Sequence, residues 1–241
     1  MDITGTTALV TGANRGLGRA LVDALLEKGA TRVYAAVRDL DTLAVDDDRV
    51  VPLRLDLTDR EQITQAARQA AGVRLLINNA GTAAFADPFT ADRAGLALEM
   101  STNYLGTYDV ISAFAPVIEA AGGGAIVNVL SLLSLASMPS MAGYSASKAA
   151  EHSLTQAVRP ALAARGITVH GVYPAGIDTD MLAGVDSPKS PPRAVADAIL
   201  DGVLGRTLDI YPDPMSEQMS QLRAHDPKAF EQAFVDLAAA Q

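Results

Sequence analysis

Short apolar runs, rich in β-branched residues, alternate with longer segments of helical pattern along most of the 241-residue chain. Several runs are apolar at consecutive positions, which is typical of parallel strands covered on both faces. This alternation predicts a single α/β domain, a doubly wound parallel sheet with right-handed crossovers. The predicted strands are residues 7–11, 32–37, 50–55, 74–78, 125–130, 167–172 and 208–211.

Residues at the predicted helix ends indicate where the helices begin and stop. Gly29 follows the helical segment 17–28 as a C-terminal capping glycine would. The segment 58–61, Thr-Asp-Arg-Glu, predicts a capping box that opens a helix running to about residue 71. Ser190 and Pro191 predict a cap residue and a first-turn proline for a later helix.

Composition narrows the classes of function. The net charge of −9 argues against nucleic-acid or membrane-surface binding, because both need a basic face. The chain has no cysteine, which excludes zinc–thiolate sites and thiol catalysis, and no metal site is predicted. The N-terminus lacks a signal-peptide pattern, and no apolar stretch approaches the ~18 residues of a membrane span. We therefore expect a cytoplasmic protein.

Two segments stand outside the strand–helix alternation. Residues 178–193 are rich in Pro, Ser, Asp and Gly, and we predict that they form a substrate lid. Residues 213–241 are predicted to form a helical tail with an interruption near 225–227. The sequence leaves open whether this tail covers the domain itself or a neighbouring subunit.

A glycine-rich turn joins the first predicted strand to the first helix. Gly12, Gly16 and Gly18 would let a pyrophosphate approach the amides at the helix N-terminus, where the helix dipole favours negative charge. Their spacing differs from the usual dinucleotide fingerprint, so an ordinary strand–helix turn is the alternative. The position after the first strand of a βαβ unit favours a dinucleotide site.

An arginine after the second predicted strand bears on which dinucleotide is bound. NAD sites place an acidic residue near this position, whereas an arginine accommodates the 2′-phosphate of NADP. Arg38 occupies the region, and Val37 before it cannot bind a ribose diol. Arg15, inside the glycine-rich turn, is a second candidate for the same phosphate. The alternative for Arg38 is a solvated side chain at a strand end, and Asp39 beside it weakens the argument. NADP(H) is the predicted cofactor, with NAD(H) as the second choice.

Three polar residues suggest a catalytic group. Tyr144 and Lys148 are spaced i, i+4 and would share one face of a helix. Ser131 follows the fifth predicted strand, and ligands of open α/β sheets bind at strand carboxyl ends. A Tyr-x3-Lys pair alone also fits an ordinary surface helix, so the order and placement of all three residues carry the argument.

Taken in order along the chain, these motifs resemble the short-chain dehydrogenase/reductase family. The resemblance runs from about residue 4 to 180, and then through the last predicted strand to about residue 212. It implies a Rossmann fold and hydride transfer between a nicotinamide and a carbonyl or alcohol. The matched positions are Thr11, Gly12, Gly16, Gly18, Asp56, Asn78, Asn79, Ala80, Gly81, Asn103, Ser131, Tyr144, Lys148, Pro174, Gly176 and Thr179.

The resemblance implies roles for four catalytic residues. Tyr144 would give its proton to the carbonyl oxygen, and Lys148 would lower the tyrosine pKa from its ordinary value of about 10 and hold the nicotinamide ribose. Ser131 would hydrogen-bond the substrate oxygen. Asn103 would hold a water molecule for proton relay.

The resemblance also implies cofactor contacts. Asp56 and Leu57 would flank the adenine, residues 79–81 would pass under the adenosine ribose, and Ile177 and Thr179 would meet the carboxamide. The predicted cofactor set is Gly12, Asn14, Arg15, Gly16, Leu17, Gly18, Arg38, Asp56, Leu57, Asn79, Ala80, Gly81, Tyr144, Lys148, Pro174, Gly176, Ile177 and Thr179.

Three features qualify the resemblance. For Asn78 and Asn79, bracing between strands is as well supported as contact with a cofactor. The family's usual Pro-Gly after the sixth strand is here Pro-Ala, with the glycine one place later at Gly176. Leu130 stands where many relatives carry a second serine.

The favoured function is reduction of a ketone or aldehyde, with an apolar pocket. The alternatives are a catalytically silent NADP-binding sensor or scaffold, and another reaction on the same fold that would need a larger C-terminal domain. By resemblance we also expect a homo-oligomer that associates through 91–121 and 142–165. The candidate pocket residues, each of which also fits a core or interface position, are Leu132, Leu133, Met138, Met141, Met181 and Leu182.

Overall fold

The fold is built on one seven-stranded parallel sheet, seen in a computed structural model that describes residues 1–44 and 46–239. The strand order is β3-β2-β1-β4-β5-β6-β7, and every pairing is parallel. This confirms the predicted doubly wound α/β class. The strands are β1 Thr7–Thr11, β2 Arg32–Val37, β3 Val50–Arg54, β4 Leu75–Asn78, β5 Gly124–Val129, β6 Ile167–Val172 and β7 Asp209–Ile210.

Helices cover both faces of the sheet. They are α1 Gly16–Glu27, α2 Arg60–Gln69, α3 Arg93–Glu99, α4 Thr107–Ala120, α5 Ala142–Ala163, α6 Pro192–Leu204, α7 Pro214–His225 and α8 Pro227–Ala239. A π-helical segment, Met100–Gly106, joins α3 to α4. Leu21 and Ile199 bury α1 and α6 on one face of the sheet, while Phe114 and Leu154 bury α4 and α5 on the other. No helix in the described part of the chain is long and apolar enough to span a membrane.

Two helix starts differ from the sequence predictions by one residue. The N-cap of α2 is Asp59, whose carboxylate accepts from the amides of Glu61 and Gln62. Thr58 does not cap, because its hydroxyl donates instead to Asp56 at 2.7 Å. Helix α6 begins at Pro192, so its N-cap is Pro191 and not Ser190. Ser190 is held away by its backbone bond to Gly176, 2.8 Å from amide to carbonyl.

The C-terminal tail packs on its own domain. Phe230 and Phe234 of α8 are 1% and 6% exposed and join a third apolar cluster that contains Leu132, Leu133 and Met141. The predicted interruption is confirmed, since α7 ends at His225 and α8 begins two residues later. The tail therefore covers the apolar side chains that directly follow β5 and β6.

The sheet topology determines where a ligand can bind. The chain starts at β1, builds outward to β3, and then returns to the other side of β1 at β4. The connections leaving β1 and β4 diverge to opposite sides, which opens a crevice at the strand carboxyl ends. The glycine-rich turn follows β1 at this crevice, and Ser131 follows β5 on the same edge of the sheet.

Candidate active site

The glycine-rich turn has the geometry of a phosphate cradle. Gly12 adopts φ of 67°, and its amide donates to the Ala36 carbonyl at 2.8 Å. A Cβ on Gly18 would lie 2.0 Å from the Gly12 carbonyl oxygen, so only glycine fits there. Within the described residues, no side chain caps the start of α1 at Arg15. The first amides of this helix are thus available to an anionic ligand, and the residues present fit the pyrophosphate of a dinucleotide.

The two asparagines after β4 brace the site. The Asn78 amide donates to the Asn128 side chain at 2.8 Å. The Asn79 amide donates to the Thr11 carbonyl at 2.9 Å. The Thr11 hydroxyl in turn accepts from the backbone amides of Asn79 and Ala80, each at 3.0 Å. These bonds favour the bracing alternative for both side chains, and they hold the end of β4 beside the glycine-rich turn.

The segment after β6 reaches across the crevice to the glycine-rich turn. A Cβ on Gly16 would lie 3.0 Å from the Thr179 methyl carbon, so these two positions are adjacent. Arg15 forms an exposed ion pair with Asp180 at 2.8 Å. Pro174, Gly176 and Ile177 precede Thr179 on this segment, which brings the predicted nicotinamide-side residues to the same crevice. The role predicted for Arg15 at a 2′-phosphate stays a prediction.

The residues predicted to contact the adenosine side of a cofactor follow β1, β2 and β3. Arg38 is exposed immediately after β2. Asn14 links the glycine-rich turn to the 3₁₀ turn Leu40–Thr42 that follows β2, because the Asn14 side-chain amide donates to the Thr42 hydroxyl at 3.0 Å. One oxygen of Asp56 accepts from the Thr58 amide at 2.9 Å. Leu57 is buried against Gly106, where an added Cβ would lie 2.7 Å away, so Leu57 helps to position the π-helical segment.

Ser131, Tyr144 and Lys148 converge at the end of β5. Ser131 begins a 3₁₀ turn, and its hydroxyl accepts from the Leu133 amide at 3.1 Å. Tyr144 lies in the first turn of α5 and is half-buried. Lys148, one turn further along α5, is 4% exposed and donates to the Val129 carbonyl at 2.8 Å. The catalytic roles predicted for these three residues stay predictions.

Asn103 lies at the centre of the π-helical segment and is fully buried. Its side chain makes three hydrogen bonds. The side-chain oxygen accepts from the Thr82 backbone amide at 2.8 Å. The side-chain nitrogen donates to the Thr82 carbonyl at 2.8 Å and to the Ser147 hydroxyl at 2.9 Å. These bonds position the loop after β4 against α5. A water-holding role for Asn103 stays a prediction.

Two buried carboxylates near the site were missed by the sequence analysis. The Glu151 carboxylate accepts a hydrogen bond from Lys148 Nζ at 2.6 Å, and the Glu151 side chain is only 2% exposed. Glu99 is 1% exposed and accepts from the Ala84 amide at 2.7 Å, while its second oxygen has no hydrogen-bond partner among the described residues. The available signal for Glu151 was an acidic residue one turn beyond Lys148 on the same helix face.

The charges around Tyr144 oppose one another. Burial raises the pKa of Tyr144 above its ordinary value; Lys148 acts to lower it, and Glu151 acts to raise it. Lys148 therefore lowers the pKa of Tyr144, as the sequence predicts, but burial raises that pKa by more. Burial also disfavours the charge on Lys148, yet Glu151 beside it keeps the pKa of that ammonium raised. Burial raises the pKa of the Glu151 carboxyl, against the opposing effect of Lys148.

The predicted pocket residues divide into two groups. Leu132, Leu133, Met138 and Met141 are buried in the apolar cluster that α8 completes, and Tyr144 packs against that cluster. Met181 is 42% exposed on the segment after β6. A cavity of about 280 Å³ opens beside the cluster. It is lined by Phe85, Ala86, Asp87, Pro139, Ser140 and Ala238.

The doubly wound sheet, the phosphate cradle and the Ser–Tyr–Lys group define a dinucleotide-binding oxidoreductase. Residues 6–190 match the model of the short chain dehydrogenase family. The chain belongs to this family, whose members are oxidoreductases that act on CH–OH or C=O groups.

Individual relatives cover most of the chain. Carbonyl reductase (NADPH) 2 of Sus scrofa is 34% identical over 191 residues, which is 78% of each chain. A short chain dehydrogenase of Burkholderia cenocepacia J2315, solved in complex with NADP, is 42% identical with a TM-score of 0.93, covering 97% of this chain and 99% of its own. A family member of Burkholderia phymatum, solved with NAD, is 25% identical with a TM-score of 0.84, covering 95% of this chain and 96% of its own.

Proposed function

We propose that this protein is an NADP(H)-dependent reductase of ketones or aldehydes, with Tyr144 as its proton donor. The observation that carries the proposal is the convergence of Ser131, Tyr144 and Lys148 at the end of β5, on the sheet edge where the glycine-rich turn forms a phosphate cradle. An intact catalytic group is not needed by a sensor or scaffold, so it favours the enzyme.

The residues divide the chemistry among them. The nicotinamide, when bound, supplies the hydride for reduction and accepts it in oxidation. Tyr144 donates its phenolic proton to the carbonyl oxygen as the C–H bond forms, which leaves a phenolate to be reprotonated from solvent. Ser131 donates a hydrogen bond to the same oxygen and stabilises the negative charge that develops there. Lys148 stabilises the phenolate by its positive charge.

NADP(H) is the proposed cofactor, and Arg38 is the residue proposed to select it. Arg38 is exposed directly after β2, at the carboxyl edge of the sheet, where the adenosine ribose binds in folds of this type. The NADP complex of the Burkholderia cenocepacia relative and the NADPH in the name of the Sus scrofa relative support this choice. The NAD complex of the Burkholderia phymatum relative favours the alternative, so a direct test is needed.

An uncharged, largely apolar substrate fits the surroundings of Tyr144. The apolar cluster formed by Leu133, Met138, Met141 and Phe234 packs against this tyrosine. The segment 178–193 is proposed as the lid, since Thr179 lies over the glycine-rich turn and Met181 is exposed on the same segment. Apolar walls with a few converging polar groups are typical of small-molecule sites.

The first experiment is to follow consumption of NADPH, and separately NADH, across a panel of aldehydes, ketones, diketones and quinones. Turnover with NADPH that Tyr144→Phe abolishes, while NADPH binding measured by fluorescence is retained, is the expected result. Turnover retained by Tyr144→Phe would remove Tyr144 from the mechanism. NADPH binding without turnover on any substrate would favour the sensor alternative.

Association through the long helices stays a prediction that the described surface supports. Leu98, Leu105 and Tyr108 lie on or beside α3 and α4 and are each about half exposed, at 51%, 51% and 48%. Covering such apolar side chains would stabilise a dimer or tetramer. Sedimentation velocity, with Leu105→Glu as the disrupting variant, measures the oligomeric state.

A further inference from the structure

We propose that Glu151 is a positioning residue for the reaction: its carboxylate holds Lys148 in place and offsets the lysine charge at Tyr144, which keeps Tyr144 protonated and favours carbonyl reduction over alcohol oxidation. The inference rests on the proposed roles of Tyr144 and Lys148.

The geometry fixes the lysine at two points. Lys148 Nζ donates to Glu151 Oε2 at 2.6 Å and to the Val129 carbonyl at 2.8 Å. The side chains of Lys148 and Glu151 are only 5% and 2% exposed, so solvent hardly screens the pair. An ammonium has three donors, and two are committed here, which leaves one to serve the reaction. The pair thus restricts the direction in which Lys148 can act.

The surroundings leave Glu151 as the main negative charge acting on this lysine. From α4, the Thr107 hydroxyl lies 3.5 Å from Glu151 Oε1 and adds no charge. From α3, Glu99 is bonded to the Ala84 amide, and it has the weakest of the effects on Tyr144. Ser131, after β5, is neutral. Burial has the largest effect on the proton affinity of Tyr144, and the two largest charge effects come from one cation and one anion on the same helix, Lys148 and Glu151.

The buried Lys148–Glu151 pair influences whether the site favours carbonyl reduction or alcohol oxidation. Lys148 lowers the pKa of Tyr144, and Glu151 raises it. A tyrosine that retains its proton at neutral pH is ready to act as an acid, whereas alcohol oxidation needs the phenolate. The presence of Glu151 therefore favours reduction and moves oxidation to more alkaline pH.

The first test replaces the carboxylate by an amide. Glu151→Gln keeps the side-chain shape and an oxygen that can accept from Lys148, but removes the charge. We expect the pH at which reduction declines, and the pH at which oxidation rises, to fall by about one unit, a tenfold change in proton affinity. Thr107→Val, which removes the hydroxyl 3.5 Å from Glu151 Oε1 without changing a charge, is the matched control and should leave both pH profiles largely in place.

A second readout does not depend on turnover. Tyrosinate absorbance is titrated in the cofactor-free protein and compared with the same protein carrying Tyr144→Phe, so that the difference reports Tyr144 alone. The titration is restricted to the pH range in which circular dichroism shows a folded protein. Glu151→Gln should lower the midpoint for Tyr144, and an unchanged midpoint would overturn the proposal. If no substrate is turned over but the midpoint falls, the proposed reaction fails while the role of Glu151 in setting the proton affinity stands.

A double variant covers the case in which Glu151→Gln does not fold. Replacing a buried ion pair by apolar residues is often tolerated, so Lys148→Met/Glu151→Leu is expected to remain folded. If the two charges offset each other at Tyr144, its midpoint in this variant stays within about half a unit of the wild-type value. A midpoint raised by more than one unit would show that Glu151 does not offset Lys148, and would overturn the proposal.

Discussion

The Asn103 amide donates to the Ser147 hydroxyl at 2.9 Å, which links the π-helical segment directly to the helix that carries Tyr144 and Lys148. Ser147 precedes Lys148 by one residue, and its hydroxyl also donates to the Tyr144 carbonyl at 2.8 Å. Movement of the π-helical segment would therefore be transmitted to Tyr144 and Lys148, the proposed catalytic side chains. Single π-helical turns inside α-helices are frequent at functional sites.

Removing the Asn103 side chain should destabilise the protein more than removing that of Ser147. Asn103→Ala deletes all three bonds, including those to the amide and the carbonyl of half-buried Thr82, and should cost about 1–3 kcal/mol in total. Ser147→Ala removes the bond from Asn103 and the bond to the Tyr144 carbonyl, but it leaves both Asn103–Thr82 bonds in place and should cost about 1 kcal/mol. Urea unfolding followed by circular dichroism measures both free energies. Equal losses in the two variants would contradict this account of the site.

A methyl group at Gly18 should abolish dinucleotide binding. Its Cβ would lie 2.0 Å from the Gly12 carbonyl oxygen, so the turn that forms the phosphate cradle must open to admit it. Gly95→Ala is the matched control, because no heavy atom lies within 4 Å of a Cβ added there in α3. Alanine in a helix interior is favoured over glycine by up to about 1 kcal/mol. Fluorescence titration with NADPH should show loss of binding in the first variant and normal binding in the second.

Arg38→Asp should shift the preference from NADPH toward NADH. A carboxylate repels the 2′-phosphate and can accept hydrogen bonds from the ribose diol. Arg32→Asp makes the same charge change on an exposed residue at the opposite end of β2, where no cofactor is expected. The ratio of kcat/KM for the two cofactors, measured for each variant, is the readout. If both variants change the NADPH-to-NADH ratio of kcat/KM equally, the effect comes from net charge alone and Arg38 does not select the cofactor.

Shortening Phe234 should widen the range of ketones accepted. This side chain is 6% exposed, and its ring lies 5.2 Å from that of Phe230, within the cluster that packs against Tyr144. Phe234→Ala should also lower the free energy of unfolding by about 3–5 kcal/mol, as large-to-small core changes do. Val235→Ala, on the exposed face of α8, should change neither property. If bulky ketones remain excluded in a folded Phe234→Ala variant, the tail does not limit the pocket.

Much of the fold could be predicted because the sheet is buried on both faces. The apolar runs of β1, β2 and β6 have the bounds that the sequence predicts, since burial requires apolar residues along the whole strand. Helix starts were harder to predict. Thr58 and Asp59 are both good cap residues, and the choice between them depends on the bond from Thr58 to Asp56, which only the folded loop shows.

The sequence by itself determined the doubly wound fold and the glycine-rich turn, because strand periodicity and turn chemistry are local properties of a chain. Ordered spacing along the chain also predicted a group of Ser131, Tyr144 and Lys148, whose catalytic roles stay a proposal. Tertiary structure alone decided that the tail packs on its own domain, that Asn78 and Asn79 brace the strands, and that Arg15 pairs with Asp180. Tertiary structure also showed Glu151 to be buried against Lys148. These contacts join residues whose burial and partners depend on how distant elements pack, and no short stretch of sequence carries that information.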